Sequence, residues 1–189
     1  MNLKVIALAS LLSTATLFAG NYTVDKDHTN VAFKVKHMMI SNVKGEFGKF
    51  SGTFTYDEKT KTLKALHGDV DTTSISTDNS MRDAHLKSPD FFDVAKYPTM
   101  SYTLDKVVGD KTYGKLTIHG ITKEVVMDLD LSGNVVKDPW GNTRTGLSLS
   151  GTINRKDFGL LWNKAVETGG VMVGEDVKIT VEIEGILQK

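Results

Sequence analysis

Cysteine is missing from all 189 residues, so no disulfide can staple this chain and no thiol can carry redox chemistry. Stability has to come from apolar burial and sheet hydrogen bonds, and electron transfer could enter only through a bound cofactor. Charge of one sign is not in excess: 23 Lys and Arg face 23 Asp and Glu, with no long run of either. That balance argues against nucleic acid as a partner. Internal repeats, low-complexity tracts and interdomain linkers are absent as well. So are the local signatures of catalysis, since the sequence has no nucleophile elbow, no phosphate loop and no Ser- or Cys-based triad pattern. Five histidines, His28, His37, His67, His85 and His119, lack the close spacing of local zinc motifs, and no metal is expected.

Only one long apolar run exists, and it stands at the start. "MNLKVIALASLLSTATLFAG" carries an early lysine, an apolar stretch from Val5 to Ala19 and small residues at its end, the pattern of a secretory signal peptide. A membrane span needs roughly 20 apolar residues with flanking anchors, whereas Tyr22 onward is polar and strand-like at once. Cleavage is expected near Ala19, which sends residues 20–189 to the periplasm as one domain of about 170 residues. No cysteine follows the run, so a lipid-anchored lipoprotein is not expected.

What fills the rest is alternation at period 2. Val31, Phe33 and Val35 point one way in "VAFKVK", and Phe50, Phe54 and Tyr56 share a face in "FSGTFTY". Met100, Tyr102 and Leu104 repeat the habit. Val125, Met127, Leu129 and Leu131 alternate with Glu124, Val126, Asp128 and Asp130, placing Met127 and Leu129 inside. Leu147, Leu149 and Ile153 follow, and Val177, Ile179, Val181 and Ile183 close the chain. Gly and Asn/Asp turns separate these runs. About eight antiparallel strands, apolar on one face, make an all-β protein, and a closed barrel is favoured over a sandwich because it leaves no exposed edge. Eight strands enclose a lumen that side chains can just fill, or that holds one small ligand. The longest irregular pieces are expected at 72–98 and 132–144.

The stretch "SMRDAHLKSPDFFDVAKYP" has the look of an active site. A plainer reading takes "SMRD" as a capping box, the Ser80 hydroxyl serving a free helix amide and Asp83 reaching back to the Ser80 amide, with Pro89 stopping a short helix. Asp90 and Asp93 then start the next turn. Arg82 and His85, three apart, share a helical face; they either present a cation to a polar head group or lie in solvent, paired with Asp83, Asp90 or a strand carboxylate. Phe91 and Phe92 cannot both be exposed cheaply, since burying each is worth roughly 1.5 to 3 kcal/mol. They are expected to plug an open barrel end or the mouth of its cavity.

Other polar candidates are fewer. His37 follows a strand and shares its inward parity, so it is either a polar group inside the barrel or a histidine bonded to strand backbone. His119, before Gly120, reads as part of a hairpin turn. In "NRKDFGLLWN", Trp162 either packs in the core or lines a tunnel. Arg155 and Asp157 either pair internally or meet an anionic head.

Several segments together resemble a known family. "RDAHLKSPDFFDVAKYPTMSY", "GKLTIHGITKEV" and "NRKDFGLLWN", with the opening "YTVDKDHTNVAFKVKHM" and "VKGEFGKFSG", are similar in order and spacing to the YceI-like, lipocalin-like periplasmic proteins. The likeness covers essentially all of the chain after the leader. It implies an eight-stranded lipocalin-like antiparallel barrel with one or two short helices over an end, holding a long amphipathic lipid such as a polyisoprenoid, an isoprenoid quinone or a fatty-acid amide, with no required cofactor and no catalytic activity. Expected partners are that lipid and, transiently, the membrane surface or a quinone-using membrane protein, for a monomer or a homodimer. The rival reading is a hydrolase or isomerase using His85 or His37 with a nearby Asp as general base.

Overall fold

The structure is a computed structural model that describes residues 19–165 and 169–189; the expected signal peptide falls almost wholly outside the described residues. Among the described residues are eleven strands: β1 (Ala19–Val24), β2 (Asn30–His37), β3 (Ser41–Phe47), β4 (Phe50–Asp57), β5 (Thr62–Asp71), β6 (Ile75–Ser76), β7 (Thr99–Val108), β8 (Lys111–Ile118), β9 (Ile121–Lys137), β10 (Thr143–Asn154) and β11 (Val173–Leu187). One helix, α1 (Ser80–Lys87), joins β6 to β7.

Eight of these strands close a ring in the order β1-β4-β5-β7-β8-β9-β10-β11, shut by β1 against β11 through Tyr22 opposite Leu187 and Val24 opposite Gly185. The other three extend it. β11 is 15 residues long, so its C-terminal part pairs with β1 while Val177 to Glu182 pair with β2. β3 and the two-residue β6 continue outward from β2. The alternation read from the sequence sets the faces. Met127 and Leu129 are buried while Val126, between Val125 and Met127, is half exposed, because successive side chains of a strand leave on opposite sides.

Two expectations are corrected. Residues 132–144 are not an irregular piece, since Ser132 to Lys137 prolong β9, with Val135, Val136 and Lys137 paired to Thr145, Arg144 and Thr143; only Asp138 to Asn142 turn. Gly133, at φ 67°, sits in β9 across from a register shift between Thr145 and Leu147, so the residues that read as a break are absorbed by a bulge. The α1 cap is also displaced. Asn79, not Ser80, caps the helix, its side chain accepting the Arg82 amide. Asp83 turns away to accept from the amide (2.9 Å) and hydroxyl (2.5 Å) of Thr77. Helix α1 does end at Lys87, with Ser88 extended before Pro89.

The interior divides into two apolar clusters. One gathers Tyr22, Phe54, Tyr56, Leu63, Leu66, Met127, Leu129 and their neighbours. The second gathers Phe47, Ile75, Met100, Ile118, Phe158 and Leu160, with Phe33, Leu86 and Phe92 packed against it.

Candidate functional site: an apolar cavity beneath a short helix

A cavity of about 200 Å³ lies between the two clusters. Its wall follows from strand parity. Val31, Phe33 and Val35 of β2 line one side together with Val177, Ile179, Val181 and Ile183 of β11, the two strands being registered Val177 to Val35 and Ile179 to Phe33. Met100, Tyr102, Leu116 and Ile118 of β7 and β8 line the other. Room for a guest comes from Gly68 of β5, where an added Cβ would find only the Ser51 carbonyl oxygen, at 3.7 Å; Gly52, registered with it on β4, has no such room, since a Cβ there would meet the His67 carbonyl oxygen at 2.7 Å.

One end is closed by aromatic packing. Tyr22 and Phe54 stack with centroids 5.1 Å apart and planes 7° from parallel, and a Cβ on Gly185 would collide with the Phe54 ring, so only glycine lets the stack settle there. Burial, with Glu58 hydrogen-bonded to the Tyr22 hydroxyl, pushes that phenol up to about 12.

The other end is capped by α1 and the loop after it. Phe91 is buried and lines the cavity; Phe92 is half-buried, lines it too, and meets Phe47 edge-on at 5.8 Å. Phe91, Trp162 and His85 form an aromatic knot: Trp162 lies 5.3 Å from Phe91, and His85 stands edge-on to both, at 5.1 Å from Phe91 and 4.8 Å from Trp162. Trp162 thus buttresses a lining residue from behind and does not line the cavity itself.

The charged candidates lie elsewhere. Arg82 donates from Nε to the Thr77 hydroxyl and from Nη2 to the Thr77 carbonyl, both at 2.8 Å, so it fastens α1 to the preceding loop. His85 meets Asp90 at 2.9 Å on the exposed side of the knot. His37 ends β2 opposite Ser41 and Val173, beyond the lining. Asp157 is exposed and forms no pair with Arg155 among the described residues. Of the nine sequence candidates, Phe91, Phe92 and Met127 line the cavity and Leu129 packs in the cluster behind Met127.

The lining also holds polar residues, among them Arg155, which the sequence left open between an internal pair and an anionic head, and Tyr102, which it read only as an inward strand residue. Arg155 is buried, donating from Nε to the Gly174 carbonyl at 2.8 Å, from Nη1 to the Leu160 carbonyl and from Nη2 to the Val173 carbonyl at 3.3 Å. Its first charge effect is desolvation, which pushes the guanidinium pKa down, with Glu175 opposing. Tyr102 also lines the cavity, lying over Gly114, and burial pushes its phenol up. The sequence signal for Arg155 was its company: an arginine among Phe158, Leu160 and Leu161 has to find carbonyls if it is buried.

Away from the cavity, Asp25, His28 and Glu184 bring potential ligand atoms within 4.8 Å of one another. Arg144 already occupies the space between the carboxylates, donating from Nη1 to Asp25 at 2.5 Å and to Glu184 at 2.6 Å, and from Nε to Asp138 at 2.7 Å. A guanidinium therefore meets the negative charge that a cation would need.

A closed antiparallel barrel, apolar within and covered at one end by α1 and its following loop, is a lipocalin-like architecture. The chain belongs to the YceI-like family: the family's domain model matches residues 22–185. It is 42% identical over 166 residues to a UPF0312 protein of Staphylococcus aureus (strain N315), covering 87% of this chain and 96% of that one. Among solved structures, the YCEI protein of Campylobacter jejuni is 35% identical with TM-score 0.70, covering 87% of this chain and 96% of that one. A polyisoprenoid binding domain from Saccharophagus degradans shares the fold at TM-score 0.65 and 15% identity, covering 88% and 98%.

Proposed function

We propose that this protein is an exported, periplasmic carrier that holds one long-chain amphiphilic lipid, of the polyisoprenoid, isoprenoid quinone or fatty-acid amide kind, in the barrel cavity. The observation that carries the reading is the wall itself, in which inward residues of β2, β7, β8 and β11 are almost all aliphatic or aromatic and Gly68 leaves space beside them. Ten methylenes buried in such a lumen contribute about 8 kcal/mol, against ordering and association costs of several kcal/mol. Tail length thus sets affinity, and few polar contacts are needed. The polyisoprenoid-binding character of the S. degradans domain and the leader at Val5 to Ala19 support the cargo and the compartment in turn. His85 and Asp90 lie outside the lining, on the exposed face of the Phe91 and Trp162 knot, which suits a latch better than a general base.

Solvent extraction of the purified protein followed by mass spectrometry tests the reading. One equivalent of a long-chain lipid is the expected result. An empty protein that fails to take up a long-chain probe would sink it.

A further inference from the structure

The β2–β3 hairpin tip, Met38-Met39-Ile40, is built against its own turn chemistry. Met38 and Met39 sit in the left-handed region at φ 50° and 62°, where a tight hairpin favours Asn and Gly. Burial does not repay that strain, because Met39 is 57% and Ile40 82% exposed. Strained apolar residues held outside the core point to work done beyond the fold.

Charge supplies an independent observation. On the outward face of the same sheet Lys34 is registered with Lys44 of β3 and with Lys178 of β11, a row across three strands, and Lys36 stands one step nearer the tip. All four are exposed, and among the described residues the lysine ion pairs belong to Lys111 and Lys156 instead. Glu46 and Asp78 lie beside this row on the side away from the tip, Glu46 opposite Ala32, and Asp176, exposed two residues before Lys178, stands on the tip side, so the four lysines outnumber the carboxylates among them. Position adds a third. Val35 and Val173 line the cavity and Val173 is registered with His37, while the Met38 amide donates to the Met172 carbonyl at 2.8 Å; the tip begins where the lining ends.

We infer that this tip and the lysine row form the surface by which the protein docks on an anionic phospholipid membrane. Met39 and Ile40 enter the boundary between head groups and acyl chains, and Lys34, Lys36, Lys44 and Lys178 meet the phosphates. Docking there sets the cavity against the bilayer, a purpose that rests on the carrier reading, although binding to vesicles requires no cargo.

Co-flotation of the full protein with vesicles of phosphatidylcholine, with and without phosphatidylglycerol, tests it. Wild type should partition to the anionic vesicles and be released by salt. Lys34→Gln and Lys36→Gln should each weaken partitioning about fivefold, and Ile40→Ser roughly tenfold. Met39→Gly separates folding from docking: glycine suits the left-handed turn, so the thermal midpoint should hold or rise while vesicle binding falls. Unchanged binding of Met39→Gly, or equal binding of wild type to neutral and anionic vesicles, would overturn the surface. So would a tip-dependent dimer in sedimentation with no vesicle binding, which makes a second copy the occupant. Vesicle binding by a protein whose extract holds no lipid would uphold the docking surface and count against the carrier alone.

Discussion

The two ends of this barrel are closed by different physics. At the β1–β11 seam, Arg144 gathers Asp25, Asp138 and Glu184 from three separate parts of the chain, all but Glu184 largely buried, and the Tyr22/Phe54 stack fills the space inside. The Arg144 guanidinium, followed by His28, lowers the Asp25 carboxyl to about 2. Burial alone would raise the Asp138 carboxyl, but hydrogen bonds from Arg144 and Asn142 overcome it and hold it well below the usual range. At the α1 end the closure is light. The helix buries no residue completely; it is tied through Arg82 and Asp83 to one residue, Thr77, and leans on Phe91 and Phe92. The seam uses desolvated, multiply bonded charge and stacked rings, whereas α1 is among the weakly held parts of the fold, from which moving elements are drawn.

The contrast can be broken by substitution. Phe54→Ala at the seam should cost about 3 to 5 kcal/mol in urea unfolding, because a ring 2% exposed leaves a cavity that strand backbones cannot close. Lipid exchange per folded molecule should change little; faster exchange at unchanged stability would mean that the seam is the gate.

Arg144→Gln leaves three carboxylates facing one another without their cation, and its effect carries a pH signature. Folded-state values of Asp25 and Asp138 lie below the ordinary 3.8, so the stability they contribute is fully present above that value and is lost as pH falls toward about 2. The difference in urea midpoint between wild type and Arg144→Gln should therefore be full near neutrality and shrink on acidification through that window. A difference that grows in acid would assign the clamp's contribution to other groups.

Phe92→Ala at the lid should cost less, about 1 to 2 kcal/mol for a half-buried ring, while speeding exchange of a fluorescent long-chain lipid. Unaltered exchange would show that α1 does not gate the cavity. The smallest stability change belongs to Gly68→Leu. Its Cβ has room, and the side chain enters the cavity, so the thermal midpoint should barely move while bound lipid measured by extraction falls. Full lipid content in that variant would place the cargo elsewhere.

Much of this was legible beforehand. Parity alone put Met127, Leu129, Val31, Phe33, Val35 and the β11 quartet inside, since a period of 2 leaves each strand only two ways to face. The Phe91 and Phe92 pair was expected to plug an end because two adjacent rings are costly to expose, and both do line the cavity beneath α1. Trp162 was open between core and tunnel, and it lies behind Phe91 because Phe91 and His85 come to rest on it from 71 and 77 residues away. Sequence spacing carries no information about such a meeting.

By itself, then, the sequence determined most of the strands, their inward faces, the short helix stopped before Pro89 and the family. Each is a local property, written in alternation, proline geometry and the order of motifs. Only the tertiary structure decided what the polar groups do. Arg144 pairs with acids 119, 6 and 40 positions away, Arg155 finds backbone carbonyls instead of its neighbour Asp157, and Arg82 is spent on Thr77. A charged side chain takes whichever partner relieves its desolvation best, and that choice is made among groups that only the closed ring brings within reach.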